Sequence, residues 1–382
     1  MGKTVSPPAM LGRSVAFVGG GIGDVIMHSA HFQAIAAASS NGKLAVACPR
    51  SAPIRELYSG SAFVSEVIGI ADERSGDNRI RVPAATAKLR AGRFDSFVCL
   101  KSNPRMNFAA WLAGIPQRYG YTRSYDPRAL FLTTRLSVPA VTPHPLHMSK
   151  ADLLLTHMGL HFDHAASRLH PNAQALAQAK NLLQGQRAIA IGVNASVPQR
   201  QWGARFIPLV QRLSETLDTK FVLFGGRDVA DVAASIRTNS GLASDKFIDL
   251  PQLGASLAFS HAALSQCLLY VGNDSAGLNL AAFCGIPAIG FFTLAPPLTY
   301  SPLILPLTPD PPGTGVEGVS VERVYAKTLE TLGTLLPPQA WEVTGVCFSL
   351  RKAGGVPASR RSEAKVALQG RGEPSRKIWR MG

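Results

Sequence analysis

The sequence lacks the long hydrophobic runs that hold a chain in a membrane. No segment reaches the roughly 18 consecutive apolar residues of a transmembrane span, and no apolar stretch followed by a small-residue cleavage site precedes Gly21. These absences exclude a membrane-spanning protein and favour a cytoplasmic one. Any contact with a membrane is expected to be peripheral.

Cysteine is also scarce. The five cysteines show no CxxC spacing, which argues against a disulfide scaffold and against a cysteine-based metal site. Charged residues make up only 16% of the chain and hydrophobic residues 46%, so most of the sequence is able to bury apolar cores. At roughly 150 residues per domain, a chain of 382 residues predicts two domains and an additional segment.

Acidic residues are few: 24 Asp and Glu stand against 39 Lys and Arg, for a net charge of +15. Such an excess predicts an acidic partner, either a phosphorylated small molecule, an anionic membrane or nucleic acid. No nucleic-acid-binding motif accompanies the charge, so nucleic acid is not expected. About half of the excess lies after Arg351, in an aperiodic basic tail for which we predict disorder. This tail suits either contact with the anionic inner membrane or a solvated extension.

Short apolar runs alternate with helical stretches in two successive series. The predicted strands are Ser14–Val18, Leu44–Cys48, Val64–Ile70 and Phe94–Leu100 in the first series, and Ala188–Val193, Lys220–Phe224, Phe247–Leu250, Leu268–Val271 and Ala288–Phe292 in the second. This alternation predicts parallel sheets, and the restart predicts two doubly wound, Rossmann-like α/β domains that face a central cleft. We place the domains at residues 1–172 and 173–338, and the tail at 339–382.

A proline-rich segment follows the last of these strands. Residues 296–313 contain repeated prolines, and we predict an irregular surface connection through which no helix or sheet continues. The helical period returns over Ser320–Leu336.

The first predicted strand leads into a glycine-rich turn, Gly19 to Asp24, and then into a helix predicted from Val25. Read as the dinucleotide fingerprint G-x-G-x-x-G from Gly19 and Gly21, the turn has Asp24 where the third glycine is required, which argues against an NAD or FAD site. Asp24 has two interpretations at this point. It is either a helix N-cap or a general base at the edge of the cleft.

Two further loops follow strands of the second series. The loop 272–279 opens a helix with small residues, whose free amide groups suit a diphosphate, although Asp274 and Ser275 are also an ordinary capping pair. The loop 194–202 contains Arg200, which either neutralises a phosphate or stacks on the neighbouring Trp202 as a solvated side chain.

Taken in order, these motifs resemble the ADP-heptose:lipopolysaccharide heptosyltransferases. The resemblance rests on Gly23-Asp24, Phe94-Asp95 through Gly120-Tyr121, Arg200-Gln201-Trp202, Phe224-Gly225-Gly226, and Asn273-Asp274-Ser275 through Gly285-Ile286-Pro287, over roughly Ser14 to Pro302. It implies a GT-B fold, an ADP-heptose donor, inverting transfer without a metal or other cofactor, and an acceptor in the lipopolysaccharide core.

The resemblance also implies roles for individual residues. Asp24 corresponds to the catalytic base, and Arg200 takes the place of a lysine that holds the donor phosphates. The remaining donor-binding residues are Ser196 near the phosphates, Asp228 at the ribose, and Asp274, Ser275, Ala276 and Gly277 in the loop that grips the diphosphate and sugar.

The chain departs from the family pattern at two donor positions. Ala276 stands where the family usually has glycine, and Asn279 where it has histidine. A different nucleotide sugar is therefore an alternative donor. Outside enzymes, the alternative is a non-catalytic saccharide-binding homologue.

Four basic residues of the first domain are candidates for the acceptor side of the cleft: Lys101, Arg105, Arg118 and Arg123. They either bind the carboxylates or phosphates of an anionic lipid-linked saccharide or are scattered solvated charges. Three histidines, His157, His161 and His164, have helical spacing, but no cysteine or carboxylate cluster joins them in the sequence. We therefore predict no metal site.

Overall fold

The computed structural model describes residues 10–71, 79–123, 127–138, 147–195 and 197–335. The first sheet contains β1 (Ser14–Phe17), β2 (Leu44–Cys48), β3 (Val64–Gly69), β4 (Ser96–Cys99), β5 (Gln117–Arg123) and β6 (Thr134–Val138). Its strand order is β3-β2-β1-β4-β5-β6, and every neighbouring pair is parallel.

The second sheet repeats this plan. It contains β7 (Ala188–Gly192), β8 (Lys220–Phe224), β9 (Phe247–Asp249), β10 (Leu269–Asn273), β11 (Ala288–Phe291) and β12 (Ile304–Leu307). The strand order β12-β11-β10-β7-β8-β9, again all parallel, has the same doubly wound connectivity as the first sheet. The predicted pair of Rossmann-like sheets is confirmed.

Helices connect the strands. They are α1 (Ile22–Met27), α2 (Ser29–Ala37), α3 (Ser51–Leu57), α4 (Val82–Ala91), α5 (Pro104–Leu112), α6 (His147–His157), α7 (Ala173–Leu183), α8 (Phe206–Thr216), α9 (Ala230–Asn239), α10 (Leu250–Leu253), α11 (Leu257–Leu264), α12 (Ala276–Cys284) and α13 (Val321–Leu335). Within the described ranges, none of these helices is long and apolar enough to cross a membrane.

The central strands are buried along their whole length, as parallel strands covered by helices on both faces must be. All residues of β1, β2, β4, β7 and β10 are buried. Aromatic side chains such as Phe17, Phe97 and Tyr270 are inaccessible in these cores. The rigid centre of each sheet therefore holds the loops at its carboxyl edge.

The helix predicted after Asp24 differs from the structure in both its start and its continuity. It begins at Ile22, and the chain turns at His28 before α2 begins. The Ser29 hydroxyl donates to the Ile26 carbonyl at 2.6 Å and fixes this turn. Asp24 is consequently the third residue of α1, and the N-cap position belongs to Gly21.

The prediction that no strand continues through residues 296–313 was wrong. Ile304–Leu307 forms β12, which pairs with β11 and contains Pro306. The strand tolerates this proline because it lies at the edge of the sheet, where an N–H directed away from β11 has no strand to bond.

Candidate active site

Each sheet has one point where the strand order reverses, and the functional loops follow the strands that flank it. In the first sheet the reversal lies between β1 and β4, and in the second between β7 and β10. Ligands of doubly wound folds bind in the crevice that opens outside the carboxyl ends of such strands. An ion pair spans each of the two reversals.

The first ion pair joins Asp24, in α1 after β1, to Lys101, directly after β4. The Lys101 Nζ donates to Asp24 Oδ1 at 3.0 Å, and the Gly21 backbone N–H donates to Asp24 Oδ2 at 2.7 Å. The Asp24 side chain remains 24% exposed. A carboxylate held by a cation and a helix N-terminus, yet reachable from solvent, is able to accept a proton in the cleft.

Gly20 permits this arrangement. Its φ is +110°, and a Cβ at this position would lie 2.1 Å from Asp24 Oδ2 and 2.8 Å from Lys101 Nζ. A side chain there would displace both members of the ion pair. The glycine-rich pattern did not indicate this role: Gly20 makes room for Asp24 and Lys101.

The second ion pair joins Arg200 to Asp274, directly after β10. The Arg200 Nη1 donates to Asp274 Oδ2 at 2.9 Å. Burial raises the pKa of Asp274, and the nearby Arg200 opposes this shift. Among the described residues, the buried Arg200 Nε has no hydrogen-bond partner. The Arg200 side chain is 26% exposed, so the exposed part of the guanidinium is able to bind an anion such as a phosphate.

Asn273 holds the loops of the second sheet together. Its Oδ1 accepts from the Trp202 backbone N–H at 3.1 Å, and its Nδ2 donates to the Val193 carbonyl at 3.1 Å. Both groups are buried, so the amide fixes the ends of β7 and β10 relative to the loop that carries Arg200. The alternative in which Arg200 stacks on Trp202 is wrong, since the Trp202 ring is buried in the core beside Phe206 and Arg200 pairs with Asp274.

The donor loop ends in the first turn of α12. Ser275 is the N-cap, and its Oγ accepts from the Gly277 backbone N–H at 3.3 Å. The first residue of the helix, Ala276, lies against α1: a Cβ on Gly23 would be 3.4 Å from the Ala276 Cα. The amino ends of α1 and α12 therefore meet at Gly23 and Ala276, which brings the turn that contains Asp24 next to the donor loop.

Asn279 has a structural role that its position in the motif did not reveal. This buried amide donates from Nδ2 to the Ser275 carbonyl at 3.1 Å, and its Oδ1 accepts from the Tyr300 hydroxyl at 2.7 Å. Burial raises the pKa of Tyr300, so the hydroxyl stays protonated as the donor. Asn279 and Tyr300 together brace the loop at Ser275.

The other two predicted donor residues lie apart from the Arg200–Asp274 pair or outside the described residues. Asp228 is exposed after β8, and its Oδ2 accepts from the Asn194 Nδ2 at 3.1 Å. It shares the carboxyl edge of the second sheet with the donor loop. Ser196 lies outside the described residues.

The four predicted acceptor residues do not form one group. Lys101 pairs with Asp24, and Arg105 is exposed near the start of α5. Arg118 is the second residue of β5, at the end of the strand away from the cleft, where its Nε donates to the Phe131 carbonyl at 2.6 Å. Arg123 ends β5, and its side chain lies outside the described part of the structure.

A partly buried cluster of two histidines and an aspartate went unrecognised in the sequence. Its members are His31 on α2, Asp152 on α6 and His164 in the connection to α7: the Nε2 atoms of both histidines lie 2.7 and 2.8 Å from Asp152 Oδ1. These bonds outweigh burial and lower the pKa of Asp152 to about 2. The three ligand atoms lie within 4.8 Å of one another and are chemically able to hold a metal ion. His164 thus belongs with His31, and the spacing to His157 and His161 was not informative.

Comparisons with known proteins identify the family and the fold of this chain. The family model for glycosyltransferase family 9 (heptosyltransferase) matches residues 83–308, more than half of the chain. A family 9 glycosyltransferase from Veillonella parvula is similar in structure, with 18% identity, a TM-score of 0.70, and coverage of 86% of this chain and 99% of that one. No curated protein sequence matches the chain.

Two heptosyltransferases of E. coli share the fold. ADP-heptose LPS heptosyltransferase II has a TM-score of 0.66 at 18% identity, and WaaC, solved with ADP, has 0.61 at 16% identity. Each comparison covers 84% of this chain and 98% of the other. The similarity extends over both six-stranded sheets and confirms the predicted GT-B architecture.

Proposed function

The chain belongs to glycosyltransferase family 9, the heptosyltransferases, and we propose that it transfers a heptose from ADP-heptose to a lipopolysaccharide core saccharide with inversion at the anomeric carbon. The donor proposal is supported by WaaC of E. coli, which was solved with ADP and with ADP-2-deoxy-2-fluoro heptose. The acceptor follows from the family resemblance and from the basic character of the first domain.

One observation carries the proposal: α1 and α12 meet at Gly23 and Ala276, so that a partly exposed carboxylate and a phosphate-binding loop share one cleft. Asp24 accepts the proton of an acceptor hydroxyl while that oxygen attacks the anomeric carbon of the donor. The bond from that carbon to the diphosphate breaks on the opposite side, which inverts the configuration. Asp24 and the leaving group must therefore lie on opposite sides of the sugar.

The second sheet stabilises the leaving diphosphate. Negative charge builds on the phosphate oxygen as the glycosidic bond breaks, and donors fixed in advance stabilise this charge at little cost in reorganisation. Arg200 supplies a partly exposed guanidinium, and the start of α12 supplies backbone N–H groups and the positive end of the helix dipole. Asp274 keeps the guanidinium in place until the phosphates bind.

The remaining donor contacts are also assigned to the second sheet. Ser196 lies near the phosphates, Asp228 binds the ribose hydroxyls, and Ser275, Ala276 and Gly277 surround the diphosphate and sugar. On the acceptor side, we assign Lys101, Arg105 and Arg123 to the binding of an anionic lipid-linked saccharide. Arg118 is less suited to binding the acceptor, because its guanidinium donates to backbone carbonyls away from the cleft. We place the protein in the cytoplasm, at the inner face of the membrane that carries its acceptor.

A donor panel tests the proposal. Thermal unfolding of the full chain is measured with ADP-heptose and with GDP- and UDP-sugars, and the product of the best donor is then analysed for its anomeric configuration. We expect ADP-heptose to raise the Tm most and the product to be inverted. A larger shift with another nucleotide would assign a different donor, which Ala276 and Asn279 make the first alternative. Binding without any product would instead indicate a non-catalytic saccharide-binding protein.

A further inference from the structure

An exposed cluster of apolar side chains covers α5 on the side away from the core. It consists of Phe108, Trp111 and Leu112 from α5, and Leu130 and Phe131 from the 3-10 helix that precedes β6; we call it the aromatic face. Its rings lie close together: the Trp111 ring centroid is 5.8 Å from that of Phe108 and 5.6 Å from that of Phe131. Leu130 is 75% exposed and Trp111 47%.

The pattern of α5 is unusual for a helix on the surface of a soluble domain. Its inner side is buried through Met106, Ala109 and Ala110, yet its outer side presents Trp111 and Leu112 to solvent. A helix that is apolar on both sides is normally covered on both. A contiguous exposed apolar patch with a polar rim marks an interaction site.

Cations surround the aromatic face. Arg90 on α4 donates from Nη2 to the Leu112 carbonyl at 2.6 Å, and Arg118 donates from Nε to the Phe131 carbonyl at the same distance. Arg105, on α5 itself, is exposed, and Arg135 is exposed on the edge strand β6 that follows Leu130 and Phe131 in the chain. Every one of these side chains adds positive charge at the rim.

The charge is concentrated in this part of the chain. Residues 79–138 contain eleven Lys and Arg against two Asp, a net charge of +9, and residues 351–382 contain nine against two Glu, a net charge of +7. Together these two segments carry +16 against a net charge of +15 for the whole chain, so the rest of the chain has a net charge of −1 and no excess of cations. Within the described residues of 79–138 the acidic side chain is Asp95, which already accepts from the Arg13 backbone N–H at 2.7 Å.

We propose that the aromatic face docks on an anionic lipid surface. Trp111 and Leu130 enter the interfacial region, and the surrounding arginines pair with lipid phosphates. An exposed tryptophan with aliphatic neighbours suits the boundary between headgroups and acyl chains, and anionic headgroups supply the complementary charge. Nucleic acid would satisfy the cations but would leave Leu112 and Leu130 against water.

The placement of α5 gives this docking a consequence, which rests on the proposed function. Arg105 is the second residue of the helix, near the cleft edge, and Trp111 follows six residues later, about 9 Å farther from that edge along the axis. Docking through the aromatic face would hold the first-sheet domain at the membrane in which a lipid-linked acceptor resides.

Co-sedimentation with vesicles tests the proposal on the full chain without any substrate. Vesicles rich in phosphatidylglycerol are compared with vesicles of phosphatidylcholine alone. We expect the W111S/L130S double variant to lose about tenfold or more of its partition onto the anionic vesicles, and W111F to keep most of it. The matched control is L253S, since Leu253 is 59% exposed on the second-sheet domain and its loss should change nothing.

Three results would overturn the proposal. The first is unchanged sedimentation of W111S/L130S. The second is equal binding of the wild type to neutral vesicles, which would remove the role of charge. The third is a wild-type dimer, measured by light scattering, that this variant converts to a monomer, since a second copy would then be the partner. An unchanged Tm of the variant shows that it is folded and keeps this test independent of the proposed chemistry.

Discussion

The two strand reversals of the molecule each carry an aspartate paired with a cation, but they prepare these aspartates for different tasks. Asp24 is the third residue of α1 and is 24% exposed, and its pair with Lys101 leaves it facing the cleft. Asp274 lies before α12, is 15% exposed and binds Arg200. The two sheets have the same topology, but they differ in the position of the carboxylate. Asp24 belongs to the first turn of its helix, whereas Asp274 precedes its helix.

We propose that this difference makes Asp24 a base and Asp274 an anchor for Arg200. Within α1, the Asp24 carboxylate accepts a hydrogen bond from the Gly21 N–H, so this N–H is not available to a pyrophosphate. Ahead of α12, Ser275 performs the capping, and Asp274 is left to orient Arg200. We therefore expect changes in the first pair to alter turnover and changes in the second pair to alter donor affinity.

The largest effect is expected from Asp24→Asn. The amide keeps the size of the side chain but is unable to accept the proton, so kcat should fall by about 10² to 10⁴. ADP release at saturating donor and acceptor measures this. The Tm of the variant serves as a control for folding, and wild-type turnover in a folded variant would refute the assignment of the base.

A matched pair of variants sharpens the comparison. Arg200→Gln removes a charge-assisted donor to the phosphates and should weaken ADP binding by about 10- to 100-fold. Lys101→Gln removes the equivalent cation on the other wall and should leave ADP binding within about twofold. Isothermal titration with ADP measures both constants. Equal losses of ADP affinity in the two variants would show that donor binding does not depend mainly on the second-sheet wall of the cleft.

Tyr300→Phe should have a smaller effect. It removes the hydroxyl that bonds Asn279 Oδ1, at a cost of about 1 kcal/mol, and loosens the loop at Ser275. We expect donor KM to rise by about three- to fivefold with little change in kcat. Tyr325→Phe is the control, because Tyr325 bonds Thr216 at 2.7 Å and its loss should lower stability without changing KM.

The smallest effect concerns pH and the anchoring of α2 to α6. Because the pKa of Asp152 is held at about 2, below its ordinary value, the ionised carboxylate stabilises the fold at higher pH. This stabilisation is lost as pH falls from about 4 to about 2 and, with a partly exposed side chain, is about 1 kcal/mol. Chemical denaturation of wild type and Asp152→Asn at pH 7 and pH 3 should show a difference that shrinks at the lower pH. A difference that stays constant would contradict the assignment.

The sequence predicted the buried central strands well but missed β5, β6 and β12. Runs such as Ala188–Val193 are uniformly apolar because helices cover both faces of the sheet, and this pattern is visible without a structure. The strand Gln117–Arg123 mixes arginine, tyrosine and glycine, and Ile304–Leu307 contains a proline. Both were missed, since neither shows an uninterrupted apolar run and their pairing with neighbouring strands is not visible in hydropathy.

The site shows a similar limit. The glycine-rich turn before Asp24 and the small residues after Asp274 marked both loops, because helix starts have local signals. Their partners have none: Lys101 is 77 residues from Asp24, and Arg200 is 74 residues from Asp274. Which cation meets which carboxylate is set by strand order, and this is why Lys101 was assigned to the acceptor side without its pairing to Asp24.

The central claim is that the first-sheet wall of the cleft determines turnover and the second-sheet wall determines donor affinity. Its most direct test is to measure donor affinity and turnover together in Asp24→Asn and Arg200→Gln. Isothermal titration with the intact nucleotide sugar gives Kd, and ADP release gives kcat. Our account predicts that Asp24→Asn keeps the wild-type Kd while kcat falls by at least about 10², and that Arg200→Gln binds the donor at least about tenfold more weakly. It would be contradicted if Asp24→Asn turned over normally, or if it lost donor binding as severely as Arg200→Gln.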